Sequence, residues 1–131
     1  MEKVKELLRN DRFAALAGIE LVDISPGRAK AVMTVTDKHL NGVNVVQGGA
    51  IFTLADLAFA AASNSHGVIA VAINASISFF KGIRTGVLTA TAEEVSLHPK
   101  LGSYTIRVTD DKGDLVAIFQ GMVYRKQEGG K

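Results

Sequence analysis

The chain contains no cysteine among its 131 residues. This absence excludes disulfide bonds and zinc sites built on thiolates, and it suits a reducing compartment. Charge of one sign is also scarce, because 15 Lys and Arg residues nearly balance 13 Asp and Glu residues and leave a net charge of +2. That balance is too weak a basis for nucleic-acid binding, although a local patch could still bind an anionic ligand.

Long apolar runs are missing as well. No stretch is both long enough and suitably flanked to cross a bilayer, and the first residues, MEKVKELLRNDR, are charged and lack the apolar core of a signal peptide. The hydrophobic fraction of 47% nevertheless allows a sizeable core. We therefore expect a soluble, cytoplasmic protein with a single domain over residues 1–131 and no membrane partner.

The spacing of apolar residues predicts the secondary structure. Residues 4–16 carry apolar side chains among charges, which predicts one short amphipathic helix. Segments rich in β-branched and aromatic residues predict six strands, at 20–24, 28–35, 68–80, 87–97, 103–109 and 115–124. The strand at 68–80 is expected to be largely buried, and residues 127–131 are expected to fray.

A long helix is predicted between the second and third strands. Gly48 and Gly49 open it, Gly67 follows its end, and no proline interrupts it. Apolar residues occur on all its faces, so we expect it to be enclosed. Two strands, a helix and four strands define an α+β fold with an antiparallel sheet. The alternating rhythm and glycine fingerprint of a parallel nucleotide-binding sheet are absent.

Asp56 is the only charged residue between Gly48 and Asn64. A carboxylate within an apolar helix has a large desolvation cost, and Asp56 is too far from the helix start to act as its N-cap. We interpret it as a reactive or substrate-facing carboxylate. The alternative is a buried Asp bonded by hydroxyls and amides of neighbouring strands.

The helix start is a second candidate site. Unpaired amides of Gly48, Gly49 and Ala50 at the positive end of the helix dipole would suit the carbonyl oxygen of an ester or thioester; alternatively, the two glycines only permit a tight turn. Eight residues of helix rise about 12 Å. Gly48 and Asp56 could therefore cooperate only between two antiparallel copies of the helix, which predicts a homodimer with shared sites.

The string HLNGxxxxxGGxxFxLADxAFAxxSNSxG, which begins at His39, resembles the hotdog-fold acyl-CoA thioesterases, most closely those of the phenylacetic-acid-degradation type. The resemblance extends through Phe79-Phe80-Lys81 to Leu115-Val116-Ala117 and so covers nearly the whole chain. It implies five or six antiparallel strands wrapped around a long central helix. It also implies dimers that pair their sheets edge to edge and often join as homotetramers.

The resemblance assigns roles to individual residues. Asp56 matches the catalytic carboxylate, Gly48 the amide that polarises the thioester carbonyl, and Asn41 a loop residue that helps to hold the reacting groups. Gln47 stands where the family commonly has histidine, and glutamine forms hydrogen bonds but cannot become a cation near pH 7. The spacing of the three histidines, His39, His66 and His98, gives no indication of a metal site.

Coenzyme A would be part of the substrate, so no separate cofactor is expected. Its phosphoryl groups call for cations, and the candidates are Lys81, Arg84, Lys100 and Arg125. The residues expected to line the acyl group are Gly49, Ala50, Phe52, Leu54, Phe59 and Phe79.

The favoured function is hydrolysis of a small acyl-CoA, aromatic acyl groups included. One alternative is a hotdog protein that binds acyl-CoA as a sensor without turnover, which the missing motif histidine would favour and the retained Asp56 disfavours. An enoyl-CoA hydratase of the same fold ranks last, because alanines occupy the turn after Asp56 where a histidine would be needed.

Overall fold

The computed structural model describes residues 1–126, so the expectation of fraying at 127–131 lies outside the described residues. The helices and strands follow the predicted order of two strands, a long helix and four strands. Their bounds are α1 Glu2–Arg9, α2 Arg12–Leu16, β1 Ile19–Ser25, β2 Arg28–Thr34, α3 Gly48–Asn64, β3 Ala70–Phe79, β4 Val87–Leu97, β5 Leu101–Thr109 and β6 Leu115–Arg125, with a 3-10 turn at Asp37–His39.

The six strands form one antiparallel sheet in the order β1-β2-β4-β5-β6-β3. Helix α3 packs against all six strands, which confirms the α+β class and the sheet wrapped around a central helix. Strand β3 follows α3 in sequence but pairs only with β6. Its other edge has no partner among residues 1–126, so β3 is an edge strand.

The core lies between α3 and the inner face of the sheet. Alternate residues of β2, β4 and β5 point into it, and Ala55, Ala58 and Ala62 let the helix approach closely. Phe59 lies directly over Gly121, where an added Cβ would come within 2.5 Å of the ring. The absence of a side chain at Gly121 of β6 therefore lets α3 pack close to the sheet at this point.

Three sequence predictions about exposure and helix length are corrected. The predicted N-terminal helix is two helices. The first ends at Arg9, and Asp11 caps the second, α2, by accepting a hydrogen bond from Ala14 N at 3.0 Å. Strand β3 is mostly exposed on this chain, with Ile73 54% and Phe79 50% exposed. Helix α3 is likewise not fully enclosed, since one of its faces reaches solvent at Asp56.

The C-terminal end of α3 is tied to three parts of the sheet. Ser65 Oγ accepts a hydrogen bond from Gly27 N at 2.7 Å and donates one to Ala62 O. The Asn64 side chain bonds both backbone groups of Ala70, at the start of β3. His66, which lies just past the helix end, pairs with Glu94 of β4 at 2.6 Å. These bonds fix the helix along its axis, and hence the position of every residue it carries.

None of the helices within residues 1–126 has the length and apolar character needed to span a membrane.

Candidate active site

Asp56 lies in the middle of α3 on the face turned away from the sheet. The exposed or half-buried positions Gly49, Thr53, Asp56 and Ala60 recur at intervals of three and four residues and so form one stripe along the helix. In the part of the chain that the structure describes, no side chain or backbone group forms a hydrogen bond or ion pair with the carboxylate of Asp56. The alternative in which neighbouring strands bond the carboxylate therefore lacks support on this chain.

The surroundings of Asp56 make its carboxyl harder to ionise. The residue is open to solvent on one side, yet the protein on its other side removes part of its water shell, and this desolvation raises the pKa of Asp56 above its ordinary value. The negative charge of Asp11, the residue that caps α2, raises it further. A more basic carboxylate is a better acceptor for a proton taken from water.

The start of α3 offers one free amide. Gln47 is the N-cap, and its Oε1 accepts a hydrogen bond from Gly49 N at 2.6 Å. Ala50 N donates to Gln47 O at 2.9 Å. Two of the three amides that the sequence suggested as donors are therefore occupied, whereas the N–H of Gly48 has no acceptor within residues 1–126.

Both glycines lie in close contact with neighbouring side chains, which an added side chain would have to displace. A Cβ on Gly48 would lie 3.1 Å from Cζ of Phe79, so glycine lets this ring cover the helix start. A Cβ on Gly49 would lie 2.6 Å from Oε1 of Gln47 and would displace the cap. The capping role of Gln47 was missed in the sequence, because glutamine is not among the side chains preferred at an N-cap.

Asn41 organises the loop that leads into the helix. Its Oδ1 accepts hydrogen bonds from Val43 N at 3.0 Å and Val45 N at 3.2 Å. Leu40 and Val46 form an isolated bridge, and Val46 N donates to Ile83 O at 2.7 Å. Asn41 thus shapes a small closed loop immediately before Gln47 and Gly48, and this loop is fastened to the segment after β3.

His39 has a structural part in the same loop. Its Nδ1 accepts a hydrogen bond from Thr36 N at 2.9 Å, so Nε2 carries the proton that is donated to Ala17 O at 2.6 Å. The ring joins the loop to the end of α2.

The aromatic candidates separate into two groups. Phe79 lies over Gly48 and is half exposed, and Phe52, one turn into the helix, is half-buried against Phe119 with ring centroids 5.0 Å apart. Phe59 and Leu54 are buried in the core, where Phe59 packs against Tyr104 and Phe119. The chain therefore brings Phe79 and Phe52 to the helix start and holds the other two beneath the helix.

The four candidate cations do not form one cluster. Lys81 lies 2.6 Å from Asp110 and 2.9 Å from Asp114, so its charge is paired within the chain. Arg84, in the same loop, is exposed and makes no ion pair with any described residue. Lys100 lies beyond the opposite end of β4, whose 11 residues extend roughly 35 Å.

Arg125 lies at that opposite end as well. Its backbone N–H donates to Lys100 O, and its guanidinium donates to the carbonyl of His98, which lies in the turn there.

Two grooves within residues 1–126 include neither Gly48 nor Asp56 in their lining, although Leu57 and Asp11 line the first. One, of about 480 Å³, runs between α1, α2 and β1, and the other, of about 530 Å³, lies between α1 and the start of β3. Asp56 is exposed on this chain, whereas Gly48 is half-buried beneath the ring of Phe79.

A family model described as the Thioesterase superfamily matches residues 43–117, which include the helix start, α3 and β3 to β5. Acyl-coenzyme A thioesterase PaaI of Escherichia coli is 38% identical over 120 residues, which cover 91% of this chain and 86% of that protein.

Two solved structures share the fold. The E. coli PaaI protein from the phenylacetic acid degradation operon superposes with a TM-score of 0.91 at 36% identity, over 99% of this chain and 94% of that one. A mutant of phenylacetic acid degradation protein PaaI from Thermus thermophilus superposes with a TM-score of 0.84 at 34% identity, over 88% and 99% of the two chains.

The fold and these relatives thus define a hotdog protein of the thioester-hydrolase class. The chain belongs to the thioesterase superfamily and is similar to its PaaI-type members. The predicted resemblance, fold class and enzyme class are confirmed.

Proposed function

We propose that the protein hydrolyses acyl-CoA thioesters, with water as the nucleophile. The carbonyl oxygen accepts a hydrogen bond from Gly48 N–H, and Asp56 takes the proton from the attacking water. The observation that carries this proposal is the free amide of Gly48 at the positive end of a helix whose other first-turn amides are occupied. Asn41 and Gln47 hold the loop and the cap that aim this amide.

Each site uses two chains. Gly48 and Asp56 are eight residues apart in one continuous helix, which separates them by about 12 Å. This distance is far beyond the reach of one water, so Gly48 of one chain works with Asp56 of another. The free edge of β3, which exposes Val71 and Ile73, supplies an apolar surface for pairing. The protein is a homodimer, or a homotetramer built from such dimers.

The substrate is the coenzyme A thioester of a small acyl group. The name of the E. coli relative supports coenzyme A, and the phenylacetic acid operon of its solved structure supports an aromatic acyl group. Gly49 and Ala50 flank the carbonyl, and the rings of Phe52 and Phe79 stack on the acyl group. Arg84 binds phosphate, whereas Lys81 holds its own loop against Asp110 and Asp114.

The test is a thiol-release assay over a panel of aromatic and aliphatic acyl-CoAs. Asp56→Asn should lose about 10²–10⁴ of the rate, whereas Asp23→Asn, an exposed Asp on β1, should keep it. The fold should survive in both variants.

The stability of Asp56→Asn provides a second readout. Since the pKa of Asp56 is raised in the folded chain, ionisation opposes folding, and wild-type stability falls as pH rises above the ordinary Asp value. Asp56→Asn should therefore melt no lower than the wild type at neutral pH. Turnover near the wild-type rate by this variant would contradict the proposed role, and marked destabilisation would indicate a structural carboxylate.

A further inference from the structure

The loop before α3 contains an Asn-Gly pair, Asn41-Gly42, whose surroundings favour a reaction between the two residues. We propose that Asn41 is a site of spontaneous self-modification, at which the backbone nitrogen of Gly42 displaces the side-chain amide of Asn41 as ammonia. The site rests on three features of the loop: the bonds of the Asn41 carbonyl oxygen, the freedom of the Gly42 amide, and the open space around Gly42.

The side-chain carbonyl of Asn41 is already polarised. Its Oδ1 accepts hydrogen bonds from Val43 N at 3.0 Å and Val45 N at 3.2 Å. When a nucleophile adds to Cγ, this oxygen gains negative charge, and two backbone amides that point at a developing oxyanion stabilise it. The loop therefore places Asn41 in an arrangement similar to that of an oxyanion hole.

The nucleophile is unobstructed. The N–H of Gly42 has no acceptor among the described residues, and Gly42 is exposed. A Cβ built on Gly42 would meet no atom within 4 Å, so neither the residue itself nor its surroundings shield the amide nitrogen. Because Gly42 directly follows Asn41, attack closes a five-membered ring and needs no movement of distant segments.

The reaction balances without a cofactor. Gly42 N loses its proton to water and forms a bond to Cγ of Asn41; Nδ2 then takes up a proton from water, and the Cγ–Nδ2 bond breaks to release ammonia. Water subsequently opens the resulting succinimide at either carbonyl. One opening gives an aspartyl side chain in the normal backbone, and the other gives an isoaspartyl linkage that carries one more backbone carbon.

Either product changes the loop before the catalytic helix. The donor Nδ2 is replaced by a negative charge, and the isoaspartyl product also lengthens the loop that joins His39 to Gln47. This loop positions the Gly48 amide, so the modification should inactivate the enzyme slowly. That functional consequence rests on the proposed function, whereas the chemistry at Asn41 does not.

The test is storage of the purified protein at mildly alkaline pH, followed by peptide mass mapping and an isoaspartate assay. Asn41, which is half-buried, should gain the mass expected from replacing NH2 by OH well before the exposed Asn44 and Asn74, which precede Val45 and Ala75. In Gly42→Ala the added methyl group shields the nitrogen, so modification of Asn41 should be severalfold slower. Modification of Asn74 before Asn41, or an equal rate in Gly42→Ala, would overturn the proposal.

Activity is followed in the same samples. Wild-type turnover should fall in proportion to the modified fraction, while Gly42→Ala, which leaves the catalytic groups in place, should hold its activity for severalfold longer. Full activity in fully modified protein would overturn the inactivation. Failure of the proposed function is distinguishable, because it would appear as an active Asp56→Asn variant and leave the mass result unchanged.

Discussion

At the residue scale, the negative charge of Asp11 acts on the carboxyl group of Asp56 at the exposed face of α3. Asp11 is held in place because its Oδ1 caps α2 through Ala14 N, and its charge acts on Asp56. A fixed negative charge near a general base makes the base hold its proton more tightly. Asp11 therefore raises the pKa of Asp56 through its charge and need not touch the substrate.

We predict that Asp11→Asn moves the acidic limb of kcat/KM to lower pH. Asparagine caps a helix about as well as aspartate, so α2 should persist, while loss of the negative charge lowers the pKa of Asp56 toward its ordinary value. Glu20→Gln, an exposed acid in the same groove as Asp11, is the matched control and should leave the limb in place. The shift should shrink with added salt; an unmoved limb at low salt would refute the coupling.

Asp56 could be singled out from the sequence, because one charge in an apolar helix is visible locally. The influence of Asp11 on Asp56 could not be predicted from the sequence, because it depends on how α2 packs against α3. Lys81 shows the same limit: the loop with two cations indicated a phosphate site, yet Asp110 and Asp114, far along the chain, pair with Lys81. Charges that meet through the sheet pairing leave no pattern in the sequence.

At the scale of single elements, the end of α3 provides a test of how the helix is held. Ser65→Ala should lower the free energy of unfolding by about 1–3 kcal/mol, because the buried N–H of Gly27 loses its acceptor. Ser63→Ala is the matched control: this buried serine bonds only Ala60 O within its own helix, so the change should be much smaller. Urea denaturation of both variants makes the comparison, and equal losses would show that the bond to Gly27 is unimportant.

The bounds of α3 match the predicted helix, because glycines mark its two ends and no proline interrupts it. Burial was harder to foresee. The apolar residues of β3 predicted a core strand, but β3 lies at the sheet edge, and an apolar strand that pairs with another copy has the same composition as one in a core. The N-terminal helix was predicted as one because its apolar spacing continues past Asp11, although aspartate is a preferred cap and marks the break.

At the scale of the whole molecule, the shared site predicts complementation between inactive chains. Asp56→Ala removes the carboxylate, and Ala50→Trp blocks the proposed carbonyl site beside Gly48 in the first turn of α3, so each variant alone should be inactive. A heterodimer of the two carries one intact Gly48 site facing one intact Asp56. A purified heterodimer should therefore have about half of the wild-type activity, and a randomly reassembled equal mixture about a quarter.

The control is a mixture of Asp56→Ala with Asp56→Asn, which contains no intact site and should remain inactive. Sedimentation establishes which mixtures contain heterodimers. A fully active monomer, or verified heterodimers without activity, would contradict the two-chain site.

The place of β3 in the sheet also bears on how the chain acquires its structure. β3 precedes β4 in sequence but hydrogen-bonds only to β6, so β4, β5 and β6 must all be synthesised before it has a partner. At about 5–20 residues per second, the apolar side chains of Val71 and Ile73 wait for seconds on the ribosome without a strand beside them. The sheet is therefore completed only as its last strand emerges, and a nascent chain that stalls before β6 would present an unpaired apolar strand to chaperones and to other nascent chains.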